Sequence, residues 1–320
     1  MALAPLIDGS DWPLFGWTDD IRPALAAAIG AGRPAVLGTL YKVEGSAPRG
    51  VGAQMLFDGS TVSGYFSGDC IEGDVARHAF EVLESGQPQR LIYGAGSPWI
   101  DIRLRCGGAL HVLIERIAPN SAAAHDLLAL GNARRACVWS SDGVASSVFE
   151  AGDAPSLHFE ADPFRLQRFY APHRRLIITG GDPVALALAR LGVEAQFETW
   201  LVRRDGPDAP PPLAGLRYAR KMVAADSWTA FVGATHEDGE DLAACIDAVR
   251  QDAAYVGMIG ARVRADGRRA AMRDLGASGD ELARIHLPAG IAGLGKSAWE
   301  VAVSVMAEVM QAMNPVSDRA

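Results

Sequence analysis

The sequence predicts an α/β protein in two parts: an N-terminal α+β domain, residues 1–168, and a C-terminal doubly wound parallel sheet, residues 169–320. Three observations lead there. The 320-residue chain is 49% apolar and 21% charged, an ordinary globular composition at a length that suits two cores rather than one. In the first half, the turn signals Asp58-Gly59-Ser60 and Asp142-Gly143 separate β-rich runs, as in hairpins. In the second half, short apolar runs alternate with helix-length segments, the pattern of βα units around a parallel sheet.

The elements follow in order. An amphipathic helix is expected over Ile21–Ile29, ended by Gly32 and Pro34, and Ala35–Val43 reads as a strand. Met55–Phe57 and Thr61–Tyr65 form the arms of the first hairpin. Ile71–Leu83 has helical spacing and closes at Gly86 and Pro88. Strands are expected near Arg90–Tyr93, Ile100–Leu104 and Ala109–Ile117, and Ser121 suits the N-cap of a short helix reaching Leu130. Together these give a mixed or antiparallel sheet. The polar stretch Asp162–Arg175, with Pro163 and Pro172, marks the junction between the parts. Beyond it, Leu176–Thr179, Gln196–Val202, Thr229–Val232 and Tyr255–Ile259 read as buried strands. Helices Val184–Leu191, Glu240–Val249 and Ala261–Leu275 alternate with them.

Charge and cysteine content exclude several classes. The net charge is −8 and there is no basic run, which disfavours a nucleic-acid partner. Met1–Ser10 lacks the basic start and apolar core of a signal peptide, and no apolar run is long enough for a membrane span. The four cysteines, Cys70, Cys106, Cys137 and Cys245, form no C-x-x-C pair. That argues against structural zinc and fits free thiols in a reducing cytoplasm.

The chemistry concentrates at two glycine-flanked cysteines. Ser67-Gly68-Asp69-Cys70-Ile71-Glu72-Gly73-Asp74 places Cys70 at a helix start, where the dipole favours a thiolate and Glu72 and Asp74 oppose it. Cys106-Gly107-Gly108 places the second thiol before a strand, near Arg103 and Arg105. Each is either a small core filler or a soft sulfur ligand beside a backbone-lined pocket. Cys137 and Cys245 lie in apolar patterns and read as core. The loop Glu44–Gly52 is either an ordinary surface loop or a glycine-rich nest, with Ser46 and Arg49 available to an anion and Gln54 offering its amide.

The second half carries three further motifs. Gly180-Gly181-Asp182-Pro183-Val184-Ala185 lies where a Rossmann-like G-x-G-x-x-G/A turn belongs, but Asp182 replaces the glycine that meets a pyrophosphate. Arg203, at the end of the next strand, replaces the usual ribose-binding acid; it either meets a phosphate, as in NADP sites, or is a solvated strand end. NAD(P) binding is therefore disfavoured. Thr235-His236-Glu237-Asp238 sits at a strand's carboxyl end, so His236 is either a base or ligand or part of a helix-entry loop. Gly290-Ile291-Ala292-Gly293-Leu294-Gly295-Lys296-Ser297 matches the P-loop string, yet only a short tail follows, so a plain glycine-rich turn is expected.

Taken together, these pieces resemble the XdhC/CoxI family of xanthine dehydrogenase accessory factors. The resemblance runs through Gly45–Arg49, Ser67–Val75, Leu104–Gly108, Thr235-His236, Tyr255–Arg262 and Ala302–Glu308, in the family's order. It departs at Asp69, at Gly180-Gly181-Asp182-Pro183 and at Arg203. The resemblance implies an XdhC/CoxI-type α+β domain joined to a Rossmann-like one. It also implies a chaperone, rather than a turnover enzyme, that binds the molybdenum cofactor (molybdopterin) and assists its sulfuration and insertion into an apo molybdenum hydroxylase of the xanthine dehydrogenase type. On that reading Cys70 and Cys106 carry the sulfur chemistry. Ser46, Arg49, Gln54, Gly68, Gly107, Gly108, Gly180, Gly181, Arg203 and His236 bind the cofactor. A cysteine desulfurase and a second copy of the chain are the further partners expected, with no nucleic acid and no membrane. The rival reading is an NADP-dependent oxidoreductase built on the second domain.

Overall fold

A computed structural model describes residues 18–314, apart from 69, 96, 98–103, 105, 106, 153, 236 and 237. The chain divides into two compact units, Met1–Pro172 and His173–Ala320.

In the first unit, α1 (Arg22–Gly30) leads into the long strand β1 (Ala35–Glu44). The hairpin β2 (Gln54–Phe57) and β3 (Val62–Gly64) follows, then α2 (Glu72–Ser85), β4 (Gln89–Gly94) and β5 (Ala109–Ile117). These strands form one antiparallel sheet in the order β3-β2-β1-β5-β4. The strand expected over 100–104 falls largely outside the described residues. After α3 (Ala122–Asn132), capped by the Ser121 hydroxyl on the Ala124 amide, come β6 (Cys137–Ser141), β7 (Ser146–Glu150), β8 (Leu157–Ala161) and β9 (Phe164–Tyr170). They pair as a second antiparallel sheet, β7-β6-β9-β8.

The stretch 162–175, read from sequence as a polar junction, therefore contains β9. Its Leu166 and Tyr170 are buried while Arg165 and Gln167 alternate with them on the other face, the pattern of a half-buried strand. One face of the first sheet packs on α2, through Leu40, Leu110, Val112, Ile114, Val75 and Val82. Its other face meets α1, α3 and the second sheet, through Leu37, Leu25, Leu127 and Trp139. Each fully buried side chain of this size contributes ~1.5–3 kcal/mol.

The second unit is a parallel sheet of β10 (Arg175–Thr179), β11 (Glu198–Val202), β12 (Arg217–Ala219), β13 (Thr229–Gly233), β14 (Tyr255–Met258) and β15 (Ile285–His286). Their order is β12-β11-β10-β13-β14-β15, which reverses direction between β10 and β13, as in a doubly wound dinucleotide-binding fold. The helices are α4 (Pro183–Glu194), α5 (Asp238–Arg250), α6 (Ala265–Asp274), α7 (Gly279–Ala283) and α8 (Ala298–Met313). Alternate residues of β10 serve opposite cores. Leu176 and Ile178 pack with Leu188 of α4 and Val305 of α8, whereas Ile177 packs with Leu242 and Ile246 of α5. Burial on both faces is why these strands read as continuous apolar runs. Cys137 and Cys245 are both fully buried, as their apolar settings predict.

Candidate functional site

Strand register gathers the first unit's motifs at one end of its sheet. Thr39 of β1 pairs with Gln54 and Glu44 with Ala109, while Gly64 pairs with Met55 and Gly94 with Ala109. The loops that follow β1, β3 and β4 therefore all emerge at the same end. Helix α2 starts there too, because the Tyr93 hydroxyl at the tip of β4 donates to Asp74 Oδ2 in its first turn, 2.8 Å away. The backbone is closely packed at this end. A Cβ on Gly94 would fall 2.1 Å from the Gly108 carbonyl oxygen, and one on Gly108 would fall 2.3 Å from that of Ser46. Only glycine fits such an approach, so Ser46 and Gly108 are brought together. Gly107, at φ 72°, turns the chain into that contact. Cys106 lies outside the described residues.

The Cys70 turn is ordered by a group the sequence reading treated only as a nearby charge. Glu72 is fully buried. Its Oε1 accepts the backbone N–H groups of Phe66, Ser67 and Gly68 at 2.9, 2.6 and 3.0 Å. Its Oε2 accepts the Ser67 hydroxyl at 2.6 Å and the Ile71 N–H at 3.2 Å. The Ser67 oxygen in turn accepts the Cys70 N–H at 2.9 Å. The turn is thus wound around an internal carboxylate, and Cys70 is left exposed on its outside. The only sequence sign was an acid near a glycine turn, which looks the same in a solvated helix start.

Two residues expected to face a ligand are engaged elsewhere. Arg49 is ion-paired to Asp19 and lies over the Tyr65 ring, 4.4 Å from its centroid, and those contacts raise its pKa against the opposing effect of burial. It ties the loop after β1 to the strand leading into the Cys70 turn. Gln54 is 4% exposed; its amide donates to Thr39 Oγ1 at 3.1 Å and accepts the Tyr170 hydroxyl at 2.8 Å. Burial pushes that Tyr170 hydroxyl up to about 12.

In the second unit a crevice of about 810 Å³ opens at the carboxyl ends of β10, β11 and β13. Gly180, Gly181, Arg203 and Thr235 line it, and His236 lies outside the described residues. Asp182 is the N-cap of α4, its Oδ1 accepting the Ala185 N–H at 2.8 Å. The chain's own carboxylate therefore occupies the helix end that binds a pyrophosphate in dinucleotide folds. Buried Asp241 closes the floor, accepting the Thr179 hydroxyl at 2.7 Å and the Thr235 N–H at 2.8 Å. Sequence reading missed it among the acids that follow His236.

The P-loop string folds as a glycine-rich turn. Ser297 and Glu300 form a capping box, and Glu300 Oε2 accepts the N–H groups of Lys296 and Ser297 at 3.0 and 2.9 Å. Glu308 accepts the Gly290 N–H at 2.7 Å and the Tyr255 hydroxyl at 2.6 Å. Four amides of the string, those of Gly290, Ile291, Lys296 and Ser297, are thus already taken by the chain's own acceptors. Two segments of the resemblance, 255–262 and 302–308, meet in the Tyr255–Glu308 bond.

Known proteins agree with this architecture. Residues 176–309 match the model of the XdhC Rossmann domain, and residues 28–94 match that of the XdhC and CoxI family. The molybdenum cofactor insertion chaperone PaoD of Escherichia coli (strain K12) is 30% identical over 299 residues, spanning 91% of this chain and 88% of that protein. A solved structure described as a xanthine dehydrogenase from Bacillus halodurans covers 93% of this chain and 97% of its own, with a TM-score of 0.72. At 20% identity that likeness shows shared fold. The two family matches and the 30% identity, set beside a glycine-packed sheet end and a doubly wound second unit, make this chain a member of the XdhC and CoxI family.

Proposed function

We propose that this chain binds the molybdenum cofactor and assists its maturation and insertion into a molybdenum hydroxylase. The observation that carries the reading is the 30% identity, over 91% of the chain, to a molybdenum cofactor insertion chaperone. The cofactor is cargo here, and the loop end of the first sheet suits it. Cys70 presents an exposed soft thiol, and Glu72, two residues on, is turned inward and saturated with hydrogen bonds. Ser46, Gly68, Gly107 and Gly108 offer close main-chain approach. Cys106, beside Gly107, supplies the second thiol on this reading. Arg49 and Gln54 act by holding the loops in place. The acceptor is an apo-enzyme of the xanthine dehydrogenase type, and a cysteine desulfurase supplies the sulfur while the chaperone shields the cofactor from water. The chain works in the cytoplasm, as a homodimer.

The test is to purify the protein from cells that make the cofactor, oxidise it, and read the fluorescence of the released pterin. The intact chain is expected to release it, and a Cys70→Ser variant much less. Absence of pterin from the intact chain, with full hydroxylase activity in cells carrying Cys70→Ser, would overturn the proposal. Asp182 fills the helix end that a dinucleotide's pyrophosphate uses, which counts against the NADP-dependent oxidoreductase.

A further inference from the structure

We infer that the crevice of the second unit is a phosphomonoester site: it takes one terminal phosphate on the β11–β12 side and excludes a pyrophosphate at the start of α4. Several observations carry this. The crevice lies at the topological switch point, outside the carboxyl ends of parallel strands, where such sheets bind ligands. Its volume of about 810 Å³ suits a ligand of nucleotide size.

The charges lining it are unevenly satisfied. Arg204 is paired to Glu240 at 2.6 Å and Arg220 to Asp208 at 3.0 Å. The Arg203 guanidinium and the Lys221 ammonium line the same cavity, and among the described residues neither has a hydrogen-bond or ion-pair partner. Arg203 is also placed rather than trailing. A Cβ on Gly181 would come 3.0 Å from its Nη1, and one on Gly206 would come 2.9 Å from its Cγ, so its stem runs between two glycines.

One carboxylate, Asp205, follows Arg204 on the β11 side, and the helix side carries more. Asp182 holds the first turn of α4, and Asp241 and Asp247 lie on α5. A diphosphate seated on the start of α4 would meet the Asp182 carboxylate that caps that helix, whereas a single phosphate held by Arg203 and Lys221 needs no contact with the helix end. Between the two poles, Val202, Met222, Ala234 and Ala244 offer apolar surface to a ring system.

Two sources share this chemistry: a nucleoside monophosphate and a phosphorylated pterin. The experiment is calorimetric titration of the full-length protein with adenosine monophosphate, a phosphorylated oxidised pterin, inorganic phosphate and NAD. At least one of the two organic monophosphates is expected to bind, with inorganic phosphate competing. The one that binds more tightly identifies the source. Arg203→Glu and Lys221→Glu are each expected to weaken that binding about tenfold or more, the range for a lost charged hydrogen bond. Both side chains are exposed, so these variants should remain folded, which circular dichroism checks. Failure of both organic monophosphates to bind overturns the inference. So does binding unchanged in both variants, or NAD binding as tight as that of the monophosphate. The inference does not rest on the cofactor-maturation reading. That reading fails in the pterin-release assay on the Cys70 variant, and this one fails in the titrations.

Discussion

Glu115 offers a direct test of the first unit's interior. It sits on β5 between the two sheets, 3% exposed, accepting the Ser141 hydroxyl and, at 3.4 Å, the Trp139 indole N–H. Burial pushes its carboxyl from the ordinary 4.5 up to about 7, against the opposing pull of its two hydrogen bonds. The folded chain therefore keeps a proton that the unfolded chain has already lost. Its stabilising effect is complete below about pH 4.5 and is lost as pH rises through about 7. At ~1.4 kcal/mol per pH unit, that window corresponds to about 3 kcal/mol. Glu115→Gln removes the titration while keeping groups that can bond to Ser141 and Trp139. Urea unfolding of both proteins from pH 4.5 to 8 should show the variant gaining on the parent by about 3 kcal/mol across the range, with most of the change below about pH 7. A difference that stays flat with pH would show that the carboxyl ionises normally, and would refute the account of this interior.

Three further outcomes are expected. Glu72→Gln should destabilise the first unit by about 2–3 kcal/mol, because the Ile71 N–H then faces an NH₂ and the charge-assisted bonds weaken; a change within ~0.5 kcal/mol by denaturant titration would contradict the wound turn. Under native conditions iodoacetamide should label Cys70 well before Cys137 or Cys245, whose thiols burial pushes up, as mapped by mass spectrometry; equal rates at the three would contradict the exposed placement. Lys296→Ala should change the melting temperature little, in keeping with an exposed side chain away from any packed feature. Mg²⁺-dependent ATP turnover lost in that variant would restore the P-loop reading.

What was legible in the sequence follows from where the signal lay. Alternation and turn residues announced the β2–β3 hairpin at Asp58-Gly59 and the β6–β7 hairpin at Asp142-Gly143, and buried apolar runs announced the parallel strands. Strands β8 and β9 were missed because His158, Glu160, Arg165 and Arg168 make them look like a linker; their inward residues matter only once the first sheet offers a face to cover. β12 was missed because three residues at a sheet edge carry almost no period. At the site, glycine spacing pointed to Gly107-Gly108 and Gly180-Gly181, since close approach leaves a mark in composition. The inward turn of Glu72 and Asp241 left none. An acid that satisfies buried amides and an acid that faces water are the same letter, and only the fold distinguishes them.

The carboxylate inside the Cys70 turn bears on how a carrier lets go. A loop that orders only around its load ties release to melting, at ~1–2 kcal/mol of backbone entropy for each residue that must find its shape again. Here residues 66–68, 70 and 71 are held by Glu72 and Ser67, groups that never leave. If the turn grips the cofactor as proposed, loading and unloading would leave it in the same conformation, and affinity for the passenger would be set by the contacts on the exposed side. Changes on that outer side can retune grip without touching the fold. A change at position 72 would instead tie grip and fold together.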